Sequence, residues 1–288
     1  MRRFLPLLIL FLGARACVSA PGQAAEKIVV ITNVNLVELE TGTVRTRLAV
    51  VIQKGRITAI AKHAIIQESS KIVVVNGEGK YLIPGLWDMN IRLVQGTDTK
   101  HAKSVTLPLL LANGVTGVRD AGGDSAALKE LRGGIERGEL TGPRMVTTAP
   151  DGPVTVVHDL AEARAVVESF HKRPAPARLL VGTDSAPGVD PGLALHRELQ
   201  WLVEAGLTPL EVLRAATLNP AHFLGKDKEM GGVEKDKLAD LVLLDANPLE
   251  DIHNLDRIAG VVAAGRYFSR RDLDEMLSQA EAAAKDKK

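Results

Sequence analysis

The stretch Tyr81-Leu82-Ile83-Pro84-Gly85-Leu86-Trp87-Asp88-Met89-Asn90-Ile91-Arg92-Leu93 decides how the rest of this sequence is interpreted. It is an apolar run that is interrupted by Pro-Gly and ends in alternating polar and apolar residues. This pattern indicates a buried strand whose carboxyl end carries polar side chains. We predict that the stretch is the first strand of a parallel core.

The residues before this stretch predict an antiparallel β region. Residues 28–31, 48–52 and 72–75 are rich in β-branched residues, and Lys54-Gly55 marks a tight turn between two such segments. Beyond Gly231-Gly232, residues 238–244 and 258–263 show the same β-strand pattern. Residues 269–288 are rich in Ala, Glu and Lys and predict a solvated helix.

Between these β regions, strand signals alternate with helix signals. Helices are predicted at residues 101–113 and 159–172, and strands at residues 115–120, around 144–146 and at 179–184. Alternation of this kind favours a parallel sheet covered by helices. With residues 82–93, four parallel strands are predicted, whereas a closed barrel of this type uses eight.

Several of these segments resemble the amidohydrolase superfamily, in particular its imidazolonepropionase and prolidase-like branch. They are Pro84-Gly85-x-x-Asp88, the run Ala112-Asn113-Gly114-Val115-Thr116-Gly117-Val118-Arg119-Asp120, the run from Gly138 to Arg144, Leu179–Asp184 and Lys237–Asp245. The resemblance implies an α/β fold, here a partial TIM-like (β/α) barrel that lacks about four central βα units. A small β-sandwich domain built from both chain ends would accompany it. The implied domains are a signal peptide at 1–25, β-sandwich parts at 26–81 and 229–268, the truncated barrel at 82–228 and the charged helix at 269–288.

The resemblance also implies a metal site, and the sequence departs from it at the first ligands. Members of the family follow Pro-Gly-x-x-Asp with His-x-His, two metal ligands, but this chain has Asn90 and Arg92 at those positions. Asp184 occupies the position of the family's metal-ligating and proton-accepting aspartate and is the one catalytic and metal candidate. Because an arginine guanidinium stays protonated and offers no lone pair, we hypothesise that Arg92 pairs with Asp184 in place of the metal. The alternative is a strand-end aspartate that caps a loop.

Other candidate groups give weaker signals. The seven histidines include no His-x-His or His-Glu-x-x-His pattern. His158 follows the apolar segment 154–157 and could face the end of a strand, although packing at a helix N-terminus is the more ordinary interpretation. Ser185 lacks a nucleophile-elbow pattern. Gly122-Gly123-Asp124-Ser125 could bind phosphate at a helix N-terminus, but the acidic residue favours a simple N-cap.

Composition excludes some classes of partner. The 288 residues include 36 basic and 35 acidic side chains, and three of the basic ones lie in the first 25 residues. We therefore expect neither nucleic acid nor an anionic membrane as partner. Basic Arg2-Arg3, the apolar run 4–12 and the following small residues predict a secretory signal peptide, and hence a periplasmic or extracellular protein with no integral membrane segment after its removal.

Two functions of different classes follow. The resemblance implies zinc or another divalent metal and hydrolysis of amide, cyclic amide or peptide-type C–N bonds in a small-molecule or peptide substrate. The substitutions at Asn90 and Arg92 lead us to expect weak or no activity and no tightly bound metal. The alternative is a non-catalytic binding or assembly protein, such as a homodimer formed through open sheet edges, or a remnant without function.

Overall fold

The computed structural model describes residues 27–62, 64, 69–94, 99–122, 125–147, 152–174, 178–184 and 191–285. The predicted signal peptide at residues 1–25 lies outside these ranges, as do Asp124 and Ser185.

Eleven strands are present in these ranges. They are β1 (Ile28–Glu38), β2 (Thr43–Gln53), β3 (Arg56–Ala61), β4 (Ile72–Asn76), β5 (Tyr81–Pro84), β6 (Leu86–Ile91), β7 (Val115–Asp120), β8 (Arg144–Val146), β9 (Leu241–Leu244), β10 (Ile258–Ala263) and β11 (Arg266–Ser269).

Strands from both chain ends form one mixed sheet. Its order is β11-β10-β9-β5-β1-β2-β3, and β4 pairs with β1 off this path. The β1–β2 and β2–β3 pairs are antiparallel, whereas β1 pairs in parallel with β4 and β5. The pairing thus joins strands from both chain ends in one hydrogen-bonded sheet. Their arrangement as a two-layered sandwich stays a prediction.

The stretch at residues 81–93 is not one strand. β5 pairs with β9 and β1 in the large sheet, whereas β6 pairs in parallel with β7, so the chain passes from one sheet to the other at Gly85. A Cβ at Gly85 would lie 1.9 Å from the Thr116 hydroxyl, which explains why this crossing point needs glycine. The prediction of one continuous strand was therefore wrong, because an apolar run does not reveal a change of sheet.

The parallel sheet has the order β6-β7-β8 and is extended by hydrogen bonds beyond β6. The Met89 amide donates to the Val181 carbonyl at 3.0 Å, which places residues 178–184 beside β6. On the far side of this segment, Thr155 forms a parallel bridge with Val181. The structure therefore adds the segment around Thr155 to the four predicted parallel strands, and the fold is mixed α/β.

Seven helices surround these sheets in the described ranges. They are α1 (Leu107–Ala112), which continues a π-helical segment (Ala102–Thr106), α2 (Ala126–Glu136), α3 (Leu160–His171), α4 (Leu193–Glu204), α5 (Pro209–Ala215), α6 (Leu218–Phe223) and α7 (Arg270–Lys285). A 3-10 segment (Ile252–Asp256) precedes β10. Within the described residues, none of these helices is long and apolar enough to cross a bilayer.

The two faces of β6 are buried in different ways. Leu86 and Ile91 belong to the main core with the leucines of α1 and α4. Trp87 and Met89 belong to a separate cluster with Leu180 and with Met230 from the loop after α6. β6 is therefore covered on both sides, as expected for a parallel strand.

Candidate functional site

The candidate site lies where the segment 178–184 ends beside β6. The Asp184 amide donates to the Asn90 carbonyl at 2.6 Å, so these two predicted positions are neighbours. A Cβ at Gly182 would lie 2.3 Å from the Asn90 nitrogen, and glycine there lets the two backbones approach. Asp184 itself has a φ of 43°, in the left-handed region that non-glycine residues seldom adopt.

The buried side chain of Asp88, on β6, connects this segment to β6 through hydrogen bonds. Its carboxylate accepts hydrogen bonds from the Thr183 hydroxyl at 2.6 Å, the Thr183 amide at 3.1 Å and the Asn90 amide at 3.0 Å. The side chain is 1% exposed, and burial raises its pKa even though these hydrogen bonds act in the opposite direction. Asp88 therefore positions the backbone on both sides of the site.

Arg92 and Asp184 form the ion pair that the sequence suggested. The guanidinium Nη2 lies 3.4 Å from Asp184 Oδ1, and the two side chains are 58% and 38% exposed. Salt bridges this exposed contribute about 0–1 kcal/mol. The pair therefore contributes little to the stability of the fold. Its effect is to hold a positive charge beside the Asp184 carboxylate.

Asp120, at the carboxyl end of β7, is a second acidic group near Arg92. It accepts hydrogen bonds from the backbone amides of Leu93 at 2.8 Å and Gly122 at 2.7 Å. Burial raises the pKa of its carboxyl, and these hydrogen bonds and the charge of Arg92 counteract part of that rise. The guanidinium thus lies among the acidic ends of two strands, where a metal cation would otherwise be attracted.

Glu198 lies behind the site on α4 and was not singled out from the sequence. It is 1% exposed, and neither carboxyl oxygen has a hydrogen-bond partner of ordinary geometry in the described part of the chain. Burial raises its pKa well above 4.5, and the charge of Asp88 raises it further, while the nearby amides of Val157 and Gly182 lower it only in part. The sequence signal for its burial was its spacing from two apolar residues. With Leu195 as position i, Glu198 is i+3 and Leu202 is i+7, and these positions share one face of a helix.

Arg119 on β7 supplies another cation close to β6. Its Nη1 donates to the Met89 carbonyl at 3.1 Å, and its guanidinium lies 5.9 Å from the centre of the Phe223 ring. These contacts hold the arginine against the aromatic side chain of α6. A second arginine near the strand ends further reduces the attraction of this region for a metal ion.

The histidines are dispersed, and most bind an acidic neighbour. His158 Nδ1 lies 3.1 Å from Glu162 at the start of α3, and His222 Nδ1 lies 3.2 Å from Asp227. The described residues contain no cluster of three or more His, Cys, Asp or Glu side chains that could hold a metal ion. A hydrolytic zinc site uses about three protein ligands, so the donor set around Asp184 does not fit the metal that the resemblance implies.

A cleft of about 510 Å³ lies outside this arrangement. It is lined by apolar side chains such as Phe170, Leu179 and Leu218, with charged residues that include Arg178 and Arg214. The Arg214 guanidinium donates to the carbonyls of Leu39 and Glu40, both at 2.7 Å. Because Asp88, Asn90, Arg92 and Asp184 do not line the cleft, it adds no side chain to the candidate site.

Comparison with known proteins gives a family match in the carboxyl-terminal part of the chain. Residues 157–267 match the model of the amidohydrolase family. An imidazolonepropionase of Shouchella clausii is 37% identical over 111 residues, which are 37% of this chain and 23% of that protein. Ochratoxinase of Aspergillus niger is 36% identical over 111 residues, or 36% of this chain and 22% of that enzyme. The matches thus span about a quarter of the length of these curated relatives.

Solved structures share the fold at low sequence identity. Phenylurea hydrolase B aligns with a TM-score of 0.69 at 18% identity, over 86% of this chain and 98% of that chain. The A. niger ochratoxinase structure aligns with a TM-score of 0.59 at 17% identity, over 85% and 96% of the two chains. These structures support the fold alone.

Proposed function

We propose that this chain, which belongs to the amidohydrolase superfamily, holds a salt bridge where its relatives hold a metal ion, and that metal-dependent hydrolysis of C–N bonds is weak or lost. The observation that carries this proposal is the 3.4 Å contact between Arg92 and Asp184.

The chemistry of these side chains supports the proposal. A guanidinium has no lone pair for a metal, and its fixed charge repels a cation held by the neighbouring carboxylate. Asn90 offers only a neutral amide oxygen in place of an imidazole. Of the positions that the family resemblance marks as ligands, Asp184 alone could bind the metal, and one carboxylate does not make a hydrolytic site.

If hydrolysis persists, the names of the relatives indicate its chemical class. Imidazolonepropionase and ochratoxinase are relatives that each match 111 residues of this chain. We propose an amide, cyclic amide or peptide-type C–N bond in a small-molecule or peptide substrate as the target, with Asp184 as ligand or proton acceptor. Zinc is the metal to supply in that test.

A second candidate function is assembly without catalysis. In the described ranges, β8 pairs only with β7, so its other edge is free to pair with another strand. We propose that a second copy of the chain joins at this edge. Light scattering on the purified protein would detect such a homodimer, and a monomeric mass at micromolar concentration would refute it.

Restoring the missing ligands provides the test of the main proposal. We expect the double variant Asn90→His/Arg92→His to bind zinc more tightly than the wild-type chain in competition with a chromogenic chelator. Adding Asp184→Asn to the double variant should remove that gain, because the aspartate is the third ligand. Asp159→Asn, which changes an acidic N-cap away from the site, is the matched control for loss of a carboxylate.

Three results would contradict the proposal: tight zinc binding by the wild-type chain, no gain in the double variant, or a gain that survives Asp184→Asn. Circular dichroism at each step must show that the variants are folded, so that failure to bind zinc is not confused with failure to fold.

A further inference from the structure

An uncharged strand lies at an edge of the large sheet. In the described ranges, β4 pairs with β1 and with no other strand. Its sequence Ile72-Val73-Val74-Val75-Asn76 contains four β-branched residues and no charged one. Val74 is 54% exposed, the highest fraction among the large apolar side chains of these ranges. An exposed edge of this composition is a template on which a further strand can pair.

Three other edge strands each carry an arginine. These are Arg56 on β3, Arg266 on β11 and Arg144 on β8. The edge at β3 is also partly covered, because its Ile57 amide donates to the Lys237 carbonyl at 2.9 Å. A charged side chain on an edge strand is one of the means by which proteins prevent pairing with another chain. β4 lacks this protection.

The hydrogen bonds to β1 show which backbone groups of β4 face the open edge. The Lys71 carbonyl accepts from the Ile28 amide at 2.8 Å, and the Gly77 amide donates to the Thr32 carbonyl at 2.7 Å. In a parallel pair, alternate residues direct both their amide and their carbonyl to the same neighbouring strand. The odd-numbered residues of β4 therefore bond to β1, and the amide and carbonyl of Val74 point to the open edge.

We propose that a second copy of this chain pairs with β4 in the antiparallel sense, around a twofold axis at Val74. The two Val74 residues form a hydrogen-bonded pair, in which each donates its amide to the carbonyl of the other. The Asn76 amide of each copy donates to the Ile72 carbonyl of the other copy. The two exposed valine side chains then lie side by side on one face of the joined sheet and bury each other.

The charges that flank β4 fit this arrangement. Around a twofold axis at Val74, Lys71 lies opposite Gly77 of the other copy and therefore beside its Glu78. Both charged side chains are exposed, and neither has an ion-pair partner within the part of the chain that the structure describes. Opposite charges on neighbouring strands attract each other, so the register set by the backbone also brings Lys71 and Glu78 together twice. This interface is independent of the one proposed at β8, because β4 belongs to the other sheet.

A cysteine at position 74 tests the register. The Cα atoms of an antiparallel hydrogen-bonded pair lie about 5.5 Å apart, within the range of about 4.4–6.8 Å that a disulfide spans. In a Cys17→Ser background, which removes the single cysteine of the chain, Val74→Cys should give a disulfide-linked dimer under mild oxidation on a non-reducing gel. Thr58→Cys, an exposed position on β3, is the matched control and should stay unlinked. No linked dimer from Val74→Cys, or equal linkage from Thr58→Cys, would overturn the proposal.

Light scattering on the full-length protein tests the association itself. The wild type should have a dimeric mass at high micromolar concentration and dissociate on dilution. Val74→Lys should be monomeric, because two ammonium groups would then face each other across the twofold axis, whereas Thr58→Lys should keep the dimer. Circular dichroism should show that both variants are folded, since both positions are exposed. A monomeric wild type would refute the proposal, and so would a dimer that persists in Val74→Lys, which would point to another edge such as β8.

Discussion

Replacing Glu198 by glutamine tests the buried carboxyl group behind the candidate site. Glutamine keeps the shape of the side chain and removes its titration. Wild-type Glu198 is fully buried, and both burial and the charge of Asp88 raise its pKa well above 4.5. The folded protein therefore retains a proton at pH values where the unfolded chain has lost it.

The sign of the effect follows from this difference in bound protons. Because the folded state binds more protons at Glu198, the contribution of this group to stability falls as pH rises from its unfolded pKa toward its raised folded pKa. A single group changes the free energy of unfolding by about 1.4 kcal/mol per pH unit in this window. Glu198→Gln should remove this slope, so its stability relative to the wild type should rise by at most about 2.7 kcal/mol between pH 5 and 7. The glutamine amide adds a constant cost of about 1–3 kcal/mol if it is left without partners, so the pH dependence is diagnostic and the offset is not.

Urea unfolding followed by circular dichroism at pH 5, 6 and 7 measures this slope. Glu204→Gln on the same helix is the matched control, because Glu204 is exposed and its replacement should leave the pH dependence of the wild type intact. Parallel stability curves for the wild type and Glu198→Gln would refute the reasoning, since they would mean that Glu198 titrates alike in the folded and unfolded chains.

Three further substitutions test other contacts. Arg92→Gln should change the free energy of unfolding by less than about 1 kcal/mol, because the salt bridge is exposed, and urea midpoints at low and high salt would show it. Gly117→Ala should destabilise the fold by about 1–3 kcal/mol, since its Cβ would lie 2.1 Å from the Trp87 ring, and tryptophan fluorescence should report the shift. Thr208→Ala should cost about 1 kcal/mol in thermal unfolding, because it removes the capping box with Glu211; no loss in either of these two variants would contradict the packing or the cap.

Local signals in the sequence predicted much of the secondary structure. Asp159 caps α3, whose bounds Leu160–His171 agree with the helix predicted at residues 159–172. Ser125 caps α2, within the run Gly122–Ser125 for which the sequence predicted an N-cap. Such caps depend on side chains within three residues of the helix start, so they can be recognised without knowledge of the tertiary fold.

Long-range pairing limited the remaining predictions. Nothing within residues 81–93 shows that β5 pairs with β9, some 160 residues later, while β6 pairs with β7. The segment around Thr155 was also missed as a partner of Val181, because only a few residues separate it from β8 and a parallel connection normally requires a dozen or more.

The candidate site was predicted in part. The family resemblance placed Arg92 and Asp184 together, and the structure brings them within 3.4 Å. The roles of Thr183 and Glu198 were missed, since the first depends on the buried carboxylate of Asp88 and the second on which face of α4 packs behind the strand. Asp184 as a catalytic or metal-binding residue stays a prediction.

A crystal structure of the wild-type protein after incubation with zinc, with anomalous data collected at the zinc edge, would test the salt bridge most directly. Our account predicts that the Arg92 guanidinium remains within about 4 Å of the Asp184 carboxylate and that no anomalous peak lies beside that carboxylate. A zinc peak bound to Asp184, with Arg92 turned away, would contradict it.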